Sequence, residues 1–321
     1  MSTVIVLSLG VGSTTPGTTS GPVSLAEAVE AVGFAEAAGV PIIRIQDQSE
    51  DGATLDPSVV ASYLAGRFSW ASFLVEAATT HNAPYNLARR ILSLDRATAG
   101  RAGIALRPGG GDEVSAATVP DPTASDACRR WAEYADILVG LWESFPSDAL
   151  VGDQEAGVFV EDSLISPIDH EGRFYRVAGP LDGPSSVQGR PVVVADVGEL
   201  DWTSLARRAD AVVVTAEQSA GADAELSRAL AWVDRRRDEV ALLGRTTVAA
   251  VEAAAYTADR LTEWADRDGL DGFELVPVGG LPAWTAVVSR LVPLLDPDAG
   301  AGSSPTLRSV LRLPDLAEVR R

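Results

Sequence analysis

From Thr3 the chain runs through apolar and β-branched residues, "TVIVLSLGVG", and then through an alanine-rich stretch, "SLAEAVEAVGFAEAAG", whose apolar positions recur at helical spacing. The first segment reads as a strand. The second reads as a helix, opened by a capping box of Ser24 and Glu27 and closed by Gly39. The alternation then repeats. Further strands are predicted over "VPIIRIQDQ", "FSWASFLVEAATT", "RAGIALRPGGG", "PVVVADVG", "AVVVTAE", "VALLGRTTV" and "LDGFELVPVG". Helices are predicted between them. "DPSVVASYLAGR" carries Pro57 in its first turn, and "PYNLARRILSLDRATAG" repeats Leu87, Ala88, Ile91, Leu92 and Leu94 at three- and four-residue steps. The others are the long "ASDACRRWAEYADILVGLWESF", then "LDWTSLARRAD", an arginine-rich helix over 222–239, "EAAAYTADRLTEWADRDG" and "AWTAVVSRLVPLL".

Strand followed by helix, repeated, implies a parallel sheet with helices packed outside it. Eight such units in 321 residues predict an α/β fold of the (β/α)8 TIM-barrel type rather than an open doubly wound sheet. One domain over 1–321 is expected, with an inserted hairpin excursion at 150–190, where turn residues and alternation replace helical period, and a C-terminal tail at 297–321. Residues 297–306 read as a mobile loop.

Composition narrows the chemistry. A net charge of −19 would repel a phosphate backbone, so no nucleic-acid partner is expected. All 26 basic residues are arginines, which removes the lysine of a Walker-type loop and Schiff-base catalysis. One cysteine, Cys128, and two histidines, His81 and His170, argue against a disulfide or a metal site. The start of the chain has no basic leader and no 18-residue apolar run follows, so the expected location is cytoplasmic, without a membrane partner.

In a barrel of this kind the chemistry gathers at the C-terminal strand ends, which selects Gln46, Asp47, Thr80, His81, Asn82, Arg107 and Asp196. His81 can exchange a proton near neutrality; the other reading is that it caps the helix that follows or packs under the loop. His170 reads as a turn residue bonding locally. Glu50 and Asp51 read as a solvated loop, "GVGSTTPG" as a strand-end loop, "PGGGDE" as a turn, and Trp131 and Trp142 as core.

Several segments in fixed order carry a resemblance: "PYNLARRILSLDRATAGRAG", then "ILVGLWESF" followed by "DHEGRFYRVAGPLDGPSSVQGRPVVV", "ARRADAVVV", and "DGFELVPVGGLP" with "TLRSVLRL". The chain resembles the flavin-dependent monooxygenases of the bacterial luciferase-like superfamily, in the branch that includes nitrilotriacetate, dibenzothiophene-sulfone and long-chain alkane monooxygenases. It is a shortened and divergent version, which implies trimmed loops over the barrel mouth. The resemblance implies a barrel that takes reduced FMN from a separate flavin reductase, activates O2 and inserts one oxygen atom into a small organic substrate. It also implies that Asp47, Thr80, Asn82, Arg107, Asp196 and Gly198 face the cofactor, that His81 or Tyr85 offers a proton, and that the chain forms a homodimer. Deazaflavin F420, used by related barrels, is the less expected cofactor.

Some positions depart from the family pattern. Ala83 stands where relatives often have His, and Ile104, Ala105 and Pro108 replace a Trp, an Asn and a Thr. After the fifth strand, "ADVGELDW" puts Asp196, Glu199 and Asp201 where relatives receive the flavin phosphate, and carboxylates there would oppose a dianion. A second reading follows from these departures: a non-catalytic barrel that has lost the flavin and acts as a partner subunit or small-ligand binder.

Overall fold

The computed structural model describes residues 3–14, 21–47, 52–80, 82–109, 126–198, 200–249, 253–296 and 306–316. Eight parallel strands close into a barrel: β1 (Val4–Gly10), β2 (Ile42–Gln46), β3 (Ser72–Ala78), β4 (Ala102–Arg107), β5 (Val192–Asp196), β6 (Ala211–Val214), β7 (Ala241–Val248) and β8 (Gly272–Pro277). Each strand pairs with its neighbours in sequence, and β1 also pairs with β8. The predicted strands are therefore all present, each covering the apolar run that suggested it.

The runs form strands because both faces are buried. Outward residues such as Ile5, Leu7, Ile43, Ile45, Phe73 and Val75 join a core shared with the helices. Inward residues, among them Val4, Val6, Ile42, Leu74, Val192, Val194, Val213 and Leu243, fill the lower barrel. Leu307, Leu311 and Leu313 from the C-terminal segment enter this second cluster and stopper the end where the strands begin.

The helices are α1 (Leu25–Ala37), α2 (Pro57–Ala65), α3 (Pro84–Ala97), α4 (Ala127–Glu143), α5 (Trp202–Arg208), α6 (Ala222–Trp232), α7 (Ala254–Asp268) and α8 (Gly280–Ala286), which runs on through a π turn (Val287–Leu291) into Val292–Leu295; a short helix, Leu307–Val310, lies in the C-terminal segment. The capping box of α1 forms as expected, with Ser24 accepting from the Glu27 amide and Glu27 reaching back to the Ser24 amide. Leu87, Ala88, Ile91, Leu92 and Leu94 are the buried face of α3. Trp131 and Trp142 are fully buried, their indoles donating to Leu106 O and Ala88 O at 2.9 Å each.

One helix is shorter than expected: α6 stops at Trp232 instead of continuing to 239. Asp234 takes a left-handed turn (φ 57°) and the Arg235 amide bonds Leu230 O. The break lets the Arg235 guanidinium donate to Ala206 O (2.7 Å) and Ala209 O (3.0 Å), closing the orphan carbonyls at the end of α5. The excursion holds two small hairpins, Leu150–Asp153 with Val158–Val160 and His170–Glu171 with Arg176–Val177. Gly12–Thr14, read as loop, pairs antiparallel with Gly52–Thr54. Glu50, Asp51, residues 110–113 of "PGGGDE" and 297–305 lie outside the described residues. Among the described residues no helix is long and apolar enough to cross a membrane.

Candidate active site at the C-terminal mouth of the barrel

The inward rows that begin with Val, Ile and Ala at the bottom end with polar residues at the top. Two residues beyond Val6, Ile42, Leu74, Ala105, Val194, Leu243 and Gly272 stand Ser8, Arg44, Glu76, Arg107, Asp196, Arg245 and Glu274. Side chains alternate faces along a strand, so these seven share the inner face with the apolar residues beneath them.

They interlock into an ionic layer. The Arg44 guanidinium sits at the centre, donating to Glu76 from Nε (2.9 Å) and Nη2 (2.8 Å), to Asp196 from Nη1 (3.0 Å) and Nη2 (3.1 Å), and to Glu274 from Nη1 (3.1 Å). Arg245 grips Asp196 with both terminal nitrogens (2.7 and 3.0 Å) and reaches Glu274 at 2.9 Å. Ser8 donates to the other Glu274 oxygen at 2.6 Å, and Arg107 pairs with the other Glu76 oxygen at 3.2 Å. The Asp47 amide also donates to that Glu76 oxygen at 3.4 Å.

Three guanidinium groups thus meet three carboxylates, and burial is graded through the set. Arg44 and Glu274 are each 2% exposed, whereas Arg107 and Arg245 keep 27% and 26% of their side chains exposed. Burial alone would lower the Arg44 pKa, but Glu274, Asp196 and Glu76 outweigh it and hold the guanidinium well above its ordinary value. Burial pushes the Asp196 carboxyl up, and Arg44 and Arg245 outweigh that, holding it well below the usual carboxylate range. Arg107 Nε and Arg245 Nε are buried donors that find no acceptor among the described residues. Buried donors without acceptors cost free energy, and the part-exposed Arg107 and Arg245 side chains are the members of the layer that a ligand rich in carbonyl, hydroxyl or anionic oxygen can reach.

The β3 and β4 ends are braced from outside by α4. Arg130 donates to Thr79 Oγ1 (3.3 Å), Pro108 O and Gly109 O (3.1 Å each), and Tyr134 OH donates to Asn82 O at 3.0 Å. Gly109 (φ 65°) lies so close to Thr80 that a Cβ there would collide with the threonine hydroxyl. These braces decide where the sequence candidates stand. Asp47, Arg107 and Asp196 meet in the ionic layer or beside it. Thr80 is buried in the β3 loop, and Gly198 (φ 41°) is exposed after β5. The Asn82 side chain faces its own loop, donating to Ala78 O and Thr80 O and accepting from Arg90 at 2.7 Å. Tyr85, on the first turn of α3, packs partly against the strand–helix core. His81 lies outside the described residues.

Two further expectations change. His170 does not bond locally: its Nε2 lies 3.1 Å from Glu133 Oε1, on α4. Two of the three carboxylates after β5 are engaged as well, and the third, Glu199, lies outside the described residues. Asp196 is held by two arginines, and Asp201 caps α5, accepting from the Ser204 amide and hydroxyl (2.8 Å each) and from Cys128 Sγ (3.0 Å). Arg44, Glu76, Arg245, Glu274 and Ser8 were absent from the sequence candidates. Their signal was a polar residue inside an otherwise apolar parallel strand, where burial on both faces makes a charge anomalous.

A closed parallel barrel whose strand ends carry a polar, partly open constellation is the layout of a barrel enzyme. The chain belongs to the family described as "Luciferase-like monooxygenase", which matches residues 2–274. It is 29% identical over 255 residues to dimethyl-sulfide monooxygenase of Hyphomicrobium sulfonivorans, covering 76% of this chain and 51% of that protein. It is 29% identical over 164 residues to N-acetyl-S-(2-succino)cysteine monooxygenase of Bacillus subtilis, covering 50% of this chain and 37% of that one. The chain therefore spans about half the length, or less, of these curated relatives. Among solved structures it superposes on EDTA monooxygenase from Chelativorans sp. BNC1 with TM-score 0.80, at 21% identity and over 98% and 99% of the two chains, a likeness of fold.

Proposed function

We propose that the chain is the oxygenase of a two-component, flavin-dependent monooxygenase, taking reduced FMN from a separate flavin reductase and directing one oxygen atom of O2 into a small organic substrate. The reading rests on family membership together with one observation: the ionic layer at the strand ends, whose rim arginines Arg107 and Arg245 stay part-exposed at the mouth. FMN is favoured over F420 because the more anionic tail of F420 suits an acidic chain poorly. A homodimer goes with the same reading.

The bound flavin supplies the activation of O2; the chain supplies position, charge and dryness. Arg107 and Arg245 offer donors to the polar edge of the cofactor, and Asp196 keeps Arg245 aimed at the opening. Glu76 and Glu274 fix Arg44 beneath them, so the floor of the site does not rearrange when charge develops above it. Asp47, Thr80 and Gly198 shape the loops around the cofactor, and Asn82 holds the β3 loop that carries His81. The proton role is proposed for His81 or Tyr85.

Of the carboxylates that suggested a non-catalytic barrel, Asp196 is occupied by two arginines and Asp201 by a helix cap, while Glu199 lies outside the described residues. Titration of the protein with FMN, followed by flavin fluorescence and thermal shift, is the test. Binding below about 100 µM, on the order of −5 to −6 kcal/mol, is expected, and its absence overturns the proposal.

A further inference from the structure

The excursion returns to the barrel at one carboxylate. Glu133, on the middle of α4 and 13% exposed, accepts from three successive backbone amides: Arg173 (3.0 Å), Phe174 (3.1 Å to each oxygen) and Tyr175 (2.8 Å). Its Oε1 also meets His170 Nε2 at 3.1 Å. The turn between His170 and Tyr175 therefore wraps an anion carried by a different element some forty residues away. Gly172 closes the wrap, because a Cβ there would overlap both the Glu133 carboxylate and the His170 ring.

What the wrap positions lies at the mouth. The Tyr175 ring stands edge-on to Tyr134, centroids 5.4 Å apart and planes at 82°, and its hydroxyl donates to Thr79 O at 3.3 Å. Thr79 Oγ1 in turn donates to Pro108 O and accepts from Arg130. Arg130, Glu133 and Tyr134 follow one another along one stretch of α4. Together they join the excursion on one side to the ends of β3 and β4 on the other.

We infer that Glu133 is a positioning residue that latches the 170–177 hairpin onto the β3 and β4 loops and so fixes one wall of the barrel mouth. A simple surface contact would not need three amides converging on one carboxylate, a glycine whose Cβ would meet that carboxylate and the imidazole, and a tyrosine relay ending on Thr79. The latch itself does not depend on the flavin reading. Its consequence for cofactor affinity rests on that reading.

Hydrogen–deuterium exchange on the intact chain, comparing wild type with Glu133→Gln and Gly172→Ala, separates the two. Glu133→Gln replaces an acceptor-only group by one that presents N–H to N–H. Gly172→Ala forces the turn off an intact carboxylate, and guards against a fold defect peculiar to the first variant. Both variants are expected to speed exchange at amides 173–175 by at least about tenfold, and at Thr79, Thr80 and Gly109 by several-fold, with the barrel strands unchanged. FMN should bind at least about fivefold more weakly to both. Unchanged exchange at 173–175 in both variants overturns the latch. Faster exchange there, with Thr79, Thr80, Gly109 and FMN affinity all unmoved, overturns the positioning role. A wild type that binds no FMN defeats the proposed function and leaves the latch to be decided by the exchange data.

Discussion

Asp196 and Asp210 lie on neighbouring strands or at their edge and are each held by two arginines, yet they do opposite work. Asp210, just before β6, accepts from Arg190 at 2.6 and 2.9 Å, from Arg308 at 3.0 Å and from the Val193 amide at 2.9 Å, and is 1% exposed. It ties the start of β5 and β6 to the C-terminal segment that stoppers the barrel. Asp196, at the end of β5, is 24% exposed, and its partner Arg245 keeps 26% of its side chain exposed at the mouth. The same ion-pair chemistry seals the lower end and leaves the upper end free to receive something. Strand-start charges support stability and strand-end charges support the site, the division expected of a (β/α)8 barrel.

The sharpest way to break the comparison is at the sealed end. Asp210→Ala takes the shared carboxylate from Arg190 and Arg308 in a dry site, leaving Arg190 only Glu143 at 3.7 Å, and is expected to cost about 3–5 kcal/mol in chemical denaturation. A loss below about 1 kcal/mol would mean that water reaches those arginines and that the end is not sealed.

Asp95 belongs to the same end, accepting from the Ala102 amide (3.0 Å) and Gln188 (2.7 Å), with its other oxygen lacking a partner among the described residues. Burial, only partly countered by Gln188, the Ala102 amide and the Arg308 charge, raises its carboxyl to about 6. A raised folded-state value means that the neutral carboxyl stabilises. That contribution is complete below the unfolded value near 4 and is lost as pH rises through about 6. Wild-type unfolding free energy should therefore lose up to about 3 kcal/mol from this group between pH 4 and 7, and Asp95→Asn should flatten that slope. An identical pH profile in the variant would show that Asp95 is already solvated.

At the open end the balance reverses. Asp196→Asn keeps the shape and is expected to cost only about 1–3 kcal/mol in stability, since the site is part-exposed. FMN binding should nonetheless weaken about tenfold, because Arg245 loses the carboxylate that aims it. Simple charge repulsion predicts the opposite, tighter binding, so the sign of the change decides between the two. The smallest effect on stability is expected for Arg107→Gln, at most about 1 kcal/mol for one part-exposed pair, and again the change should be read mainly in ligand affinity.

The barrel was legible in the sequence because parallel strands buried on both faces leave unmistakable runs such as "VIVLSLG" and "PVVVAD", and because Ser24, Pro57 and Gly39 punctuate helices by local chemistry alone. The end of α6 was not legible. Helical period continues past Trp232, and only the distant carbonyls of Ala206 and Ala209 recruit Arg235 out of it. The site was half legible. Asp47, Arg107 and Asp196 could be chosen from position at strand ends. Arg44, Glu76, Arg245 and Glu274 sit one step deeper, where the rule about strand ends does not look, and their mutual pairing depends on barrel closure. Asp196 looked like a charge opposed to a phosphate for the same reason, since its arginines are 49 and 152 residues away, whereas the cap that Asp201 forms on Ser204, three residues on, is a local signal that the sequence carries. His170 likewise gains its meaning from Glu133, 37 residues earlier.

The central claim is that a flavin occupies the open end above the ionic layer, and a crystal structure of the chain grown with FMN tests it most directly. Density for the cofactor is expected at the C-terminal strand ends, with Arg107 or Arg245 donating to it and Asp196 still bound to its two arginines. FMN found against the Asp210 end, or no density in crystals soaked well above the solution dissociation constant, would contradict it.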